Sequence, residues 1–147
     1  MNLNKLAVRY GQLAPNKRHL ALPFALMAIL YWLSSIPGKP LPDHPDIYAL
    51  FYWMSPSLQN LLHIPAYVAL GWAWRWSLGV WFRNQTGCAI AAFMLSAGHG
   101  VFDEWHQSFV PYRYASLADI ALDMLGSVLG IYACYWMRNN MQAANQR

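Results

Sequence analysis

Charge is what this 147-residue chain has least of. Only 11% of its residues are Asp, Glu, Lys or Arg, against about a quarter in an ordinary soluble domain. That shortage argues against a freely soluble fold. The net charge of +4 comes from ten basic residues spread along the chain. No basic run is present, so no nucleic-acid partner is expected. Cysteine is nearly absent as well: Cys88 and Cys134 are the two there are. The positive-inside rule puts both toward the cytoplasm, where thiols stay reduced, so no disulfide is expected. They are read as small apolar packing residues. Also missing are a phosphate-binding glycine loop, a G-x-S-x-G elbow, a Cys/His dyad, an H-E-x-x-H pair and any internal repeat, which removes the commonest sequence-readable chemistries.

What is present is apolar length. Hydrophobic residues make up 57% of the chain, with eight Trp and nine Tyr among them. Uncharged runs cover 19–38, 47–74 and 84–102, and a fourth, 120–137, is interrupted only by Asp123. A helix needs roughly 20 mostly apolar residues to cross a bilayer, and Trp and Tyr collect at the membrane interfaces. The pattern predicts an all-α polytopic membrane protein, a bundle of about four transmembrane helices in a single domain, 1–147. The spans fall at about 19–36, 57–76, 85–102 and 117–137. Pro23 and Pro65 are placed near the starts of the first two, where proline is tolerated. The aromatic-rich segment 47–54 is expected to lie in the interface. The first apolar stretch is too long for a signal-peptide core and lacks an A-x-A-like cleavage site, so it reads as a retained helix.

Orientation follows from the cations. Lys5, Arg9, Lys17 and Arg18 precede the first span, Arg75 and Arg83 separate the second and third, and Arg138 and Arg147 follow the fourth. Only Lys39 and Arg113 fall on the other side. The positive-inside rule then places both termini in the cytoplasm. Every acidic residue lies on the outer side or in the outer half of a span.

Four of the six acids, Asp103, Glu104, Asp119 and Asp123, sit within 21 residues. Carboxylates in or beside lipid-length segments are expensive and ask for a role. His99, Asp103 and His106 follow i, i+4, i+7 and share a helix face, with Glu104 and Gln107 on the adjacent stripe. Asp119 and Asp123 are again i, i+4, and Gly126 and Gly130 continue that stripe as a G-x-x-x-G pair that lets another helix approach. Ser116 and Asp119 have capping-box spacing. His63 and Tyr67 on the second span, and Ser34 and Ser35 at the end of the first, are expected at the same depth. These residues predict one outer polar layer, with Arg113 in the loop between the acidic clusters. His99, Asp103, His106 and His63 offer nitrogen and oxygen ligands but match no recognised metal motif, so neither a metal nor a cofactor is assigned.

In this order the motifs resemble the VanZ-like family of small bacterial membrane proteins. They read Glu104-Trp-His-Gln107, Pro111-Tyr-Arg113, Ser116-Leu-Ala-Asp119 and Gly126-Ser-Val-Leu-Gly130, preceded by Ser34-Ser35-Ile36-Pro37 and His63-x-x-x-Tyr67-x-x-x-Gly71. The resemblance covers about residues 20–138. Two positions depart from it: Gln59-Asn60 replaces the usual D-K pair, and Asp123 replaces the usual Asn. It implies a four-helix protein of the bacterial cytoplasmic membrane, and the family's namesake is associated with low-level teicoplanin resistance.

The layer is therefore expected to bind a lipid head group, a cell-wall intermediate or a glycopeptide-like ligand through Arg113, Glu104, Gln107, Asp103, Asp119, Asp123, His63, Tyr67 and Ser35. Membrane lipids are the expected surroundings. Two alternatives stay open. One is a membrane enzyme acting on a lipid-linked substrate, with Glu104 as acid or base, His99 or His106 as its partner and Arg113 as a clamp. The other is a small transporter or proton relay, which would need a homo-oligomer joined through the Gly126/Gly130 face.

Overall fold

A computed structural model describes residues 17–39 and 56–145. The terminal tails and the segment 47–54, expected in the interface, lie outside the described residues. Within them every regular element is helical. A 3-10 turn, Lys17–Leu20, leads into α1, Ala21–Ser34. Next come α2, Pro56–Leu78, α3, Gln85–Gln107, and α4, Leu117–Asn145.

The starts agree with the sequence reading, but three ends run further. Helix α3 continues through Glu104 and Gln107 because nothing breaks it before Pro111. Helix α4 likewise carries its polar tail on as helix. Pro65 lies inside α2, not near its start. At 23 residues each, α2 and α3 are about 35 Å long, enough to cross a hydrocarbon core of about 30 Å. By hydropathy, however, only Leu117–Ala144 is both long and apolar enough to qualify as a span among the described residues, and Arg18–Ser34 is apolar but shorter. Helices α2 and α3 fall below that mark partly because of the buried polar residues they carry.

The bundle is polar within and apolar without. Ser34, Arg75, Ser77, Ser96, His99, Asp103, Glu104, Gln107, Asp119, Asp123 and Ser127 are buried. Trp32, Ile90, Met94, Trp105, Phe109 and Trp136 are each more than half exposed. A soluble domain sorts these residue types the other way. The small apolar core is built from Tyr67, Leu70, Trp74 and Ala92, with Leu26, Met27, Leu30 and Ile131 packed against it.

Helices α2 and α4 form the most extensive contact of the bundle, and glycines make it possible. A Cβ on Gly130 would stand 2.0 Å from the Val68 carbonyl oxygen, one on Gly126 would stand 2.6 Å from that of Ile64, and one on Gly71 would stand 2.5 Å from that of Ser127. The Gly126/Gly130 face, expected to let another helix approach, is occupied by α2 of the same chain.

Candidate functional site

The loop after α3 turns back over the end of α1. Gly38 donates its N–H to the Pro111 carbonyl at 3.0 Å, and Arg113 Nε donates to the Ile36 carbonyl at 2.9 Å. Tyr112 takes φ 60°, a left-handed value uncommon for a residue with a Cβ. Its carbonyl presses so close to Gly38 that a Cβ there would stand 2.1 Å from the oxygen. This clasp roofs the ends of α1, α3 and α4, and the polar side chains gather beneath it.

Most of the predicted residues find a side-chain or backbone partner from another element or an adjacent turn. His63 Nδ1 meets Asp123 Oδ1 at 2.8 Å, joining α2 to α4. Tyr67 Oη meets His99 Nδ1 at 3.0 Å, joining α2 to α3. Ser35 Oγ meets His106 Nε2 at 3.0 Å, tying the end of α1 to α3. Gln107 Nε2 donates to Asp103 Oδ2 at 3.0 Å, while Arg113 Nη1 donates to Gln107 Oε1 at 3.3 Å. Burial lowers the Arg113 pKa, and the carboxylates of Asp103, Glu104 and Asp119 act against that shift. A guanidinium starts so high that it stays charged. Arg113 spends two donors on the protein itself, so it is as much the clasp of the fold as a free anion clamp.

The capping box is only half formed, which changes the part Asp119 plays. Ser116 Oγ accepts from the amides of Ala118 and Asp119 at 3.2 and 3.4 Å. The reciprocal bond, from the Ser116 amide, goes to Glu104 Oε2 of α3 at 2.7 Å. A carboxylate from a neighbouring helix thus caps α4 and frees Asp119 from that duty. Asp119 is 5% exposed, and its Oδ1 has no partner. Asp103 Oδ1 and Glu104 Oε1 are buried without partners too.

The histidines separate into two groups. His99 and His106, which share a helix face with Asp103, are engaged by Tyr67 and Ser35. Glu104 is hydrogen-bonded to neither histidine among the described contacts. The histidine that joins the acids is His63, from α2: one donor atom each of His63, Asp103 and Glu104 lies within 4.8 Å of the others. Those three side chains could hold a metal. Glycine again provides the space, since a Cβ on Gly100 would stand 2.8 Å from Asp123 Oδ2. Helical spacing puts Gly100 on the stripe of Glu104 and Gln107, but no spacing rule points to the His63–Asp123 pair.

A cavity of about 120 Å³ opens beside this layer. Its lining mixes the apolar Leu30, Leu33, Leu62 and Ala66 with the polar or charged Ser34, His63, Tyr67, Asp103, Gln107 and Arg113. The family model described as VanZ/LLP1 matches residues 8–138. The chain belongs to the VanZ/LLP1 family. No curated protein and no solved structure matches it. In this VanZ/LLP1 chain the motifs Glu104 to Gln107, Arg113 and Ser116 to Asp119 form one connected structure: the Glu caps the helix that carries the Asp, and the Arg holds the Gln. The departure at Asp123 is absorbed by its pairing with His63.

Proposed function

We propose that this VanZ/LLP1 protein is a multi-pass protein of the bacterial cytoplasmic membrane. In this reading its outward-facing polar layer binds the head group of an amphiphilic envelope molecule, such as a lipid-linked cell-wall intermediate or a glycopeptide-like ligand. The observation that carries the reading is the mixed lining of this cavity. Four of its lining residues are apolar and six are polar or charged. At about 120 Å³ it is smaller than a drug-sized pocket. It takes a few atoms of the head group while the rest of the molecule stays outside it.

Two further features support the membrane setting. Exposed aromatic residues form two belts. Trp105, Phe109, Tyr112 and Tyr114 stand at the end that holds the polar layer, and Trp81, Tyr135 and Trp136 at the other. Such belts mark the two interfaces. Among the described residues, Arg18, Arg75, Arg83 and Arg138 lie toward the end opposite Arg113, the asymmetry of a protein with cytoplasmic termini.

Lipid extracts of the purified protein test the proposal. Wild type is expected to retain a head-group-bearing amphiphile at far above its share of the membrane. Leu62→Trp, which fills the half-exposed mouth of the cavity, should reduce that retention about tenfold while leaving the helical circular dichroism unchanged. Equal retention by the two proteins, or wild-type extracts that mirror the bulk membrane, would refute it.

A further inference from the structure

We infer that His63, Asp103 and Glu104 form a binding site for one divalent metal ion. The argument begins with charge. Asp103, Glu104, Asp119 and Asp123 are each at most 5% exposed, and among the described residues Arg113 is the guanidinium that acts on the layer. Uncompensated buried charge is very costly. The hydrogen bonds already described quiet only part of it, since Asp103 Oδ1, Glu104 Oε1 and Asp119 Oδ1 receive no donor. A divalent cation supplies the missing positive charge at the point where the donor atoms converge.

The coordination chemistry is equally specific. His63 spends Nδ1 on Asp123, so Nε2 is the nitrogen left for a metal. A ligating histidine whose other ring nitrogen is held by a carboxylate is the usual second-shell arrangement of metal sites, because it fixes the tautomer and the ring. Asp103 and Glu104 have their second oxygens anchored in the same way, by Gln107 and by the Ser116 amide. One donor atom of each lies within 4.8 Å of those of the other two, and small side-chain movements bring them to the donor spacing of about 3–3.5 Å that metal-ligand distances of about 2.0–2.2 Å require. One imidazole and two carboxylates favour Mn²⁺ or Zn²⁺ over Ca²⁺ or Mg²⁺, which prefer shells of oxygen alone.

The inference rests on the reading of this layer as a ligand site, and one experiment separates the two. Detergent-purified protein is stripped with chelator, equilibrated in turn with Mn²⁺, Zn²⁺, Mg²⁺ and Ca²⁺, desalted and measured for metal. Wild type is expected to hold about one equivalent of Mn²⁺ or Zn²⁺, and bound Mn²⁺ should give the altered spin-resonance spectrum of an ordered site. Glu104→Gln and Asp103→Asn should weaken retention at least tenfold, whereas His106→Ala, on the Ser35 side, should keep it. Wild type that retains none of the four ions refutes the metal site, whatever the variants do. If that wild type still carries its amphiphile, the metal inference falls alone. Metal retained without amphiphile brings down the binding proposal instead.

A different observation, at the opposite end of the bundle, carries a second proposal. Arg75 is 1% exposed, and its described hydrogen bonds go to uncharged groups, Cys88 Sγ at 3.2 Å and Gln85 Oε1. Its Nε and the Nη1 of Arg138 are buried without partners. Every described acid lies in the other layer. An apolar cavity of about 570 Å³ adjoins Arg75, lined by Ala89, Ile90, Phe93, Val128 and Ile131 of α3 and α4. Arg138 lines a neighbouring cavity that shares Gln85 and Tyr135 with the first. An apolar trough ending at two unneutralised guanidiniums has the shape and charge of an acidic phospholipid, with its chain in the trough and its phosphate on the arginines.

We propose that lipid as its occupant. After exchange into nanodiscs of equal phosphatidylglycerol and phosphatidylcholine, native mass spectrometry should find wild type enriched about tenfold in the acidic lipid. Arg138→Gln should return the ratio to that of the bilayer. Wild type with the bulk ratio, or one that holds inorganic phosphate with no lipid preference, would overturn it.

Discussion

Replacing Gly130 by valine is expected to abolish the folded bundle. Even a bare Cβ at this position would stand 2.0 Å from the Val68 carbonyl oxygen and 2.8 Å from the Trp72 amide nitrogen. Both neighbours are backbone inside α2, so no rotamer change relieves the clash. Overpacking usually costs about 1–3 kcal/mol, and a clash that can be relieved only by separating two helices exceeds that range. The separation would also withdraw Tyr67 from His99 and His63 from Asp123. The measurement is the yield of monodisperse protein on size exclusion in detergent, together with its helical circular dichroism. Gly98→Ala is the control: a Cβ there meets nothing within 4 Å, and alanine favours a helix over glycine by up to about 1 kcal/mol. Gly98→Ala is therefore expected to match wild type or exceed it. A well-folded Gly130→Val protein would disprove the close α2–α4 packing.

The second large effect belongs to Asp123. Asp123→Ala removes one partner of a pair whose Asp side chain is 1% exposed and whose distance is 2.8 Å. Breaking a buried pair from one side costs about 3–5 kcal/mol, because the other group is left without its partner. His63 would lose the group that fixes its ring, and the space beside Gly100 would empty. Asp123→Asn keeps a side-chain acceptor for His63. Its cost is expected near 1 kcal/mol, the scale of one altered hydrogen bond. Resistance to denaturant in detergent ranks the three proteins. The double variant His63→Ala/Asp123→Ala should lose less than the sum of the two single ones, as coupled partners do. Additive losses, or equal ones for Ala and Asn, would show that the pair does not hold the helices together.

How much of this could be read from the sequence differs from helix to helix. The starts of α2, α3 and α4 were legible because apolar length, prolines and Ser116 are local signals. Their ends were less so, since polar residues such as Glu104 and Gln107 continue a helix as readily as they leave one. The polar layer was legible as a set, because helices entering and leaving at one level must bring their polar residues to a common depth. Its wiring was not. His99, Asp103 and His106 share a face on paper, yet His99 and His106 turn to Tyr67 and Ser35. Asp119 looked like a cap, and Glu104 from another helix took half of that work. The G-x-x-x-G pair was correctly a site of close approach, but the approaching helix is the chain's own α2.

By itself, then, the sequence determined the helical class, the family and the collection of carboxylates at one end. Those follow from composition, periodicity and motif order along one chain. Only the tertiary structure decided which histidine meets which carboxylate, which oxygens are left without donors and which glycines are filled by a neighbour. Each of those depends on the rotation of one helix against another. Side-chain packing sets that rotation, and the spacing of residues along the chain does not encode it.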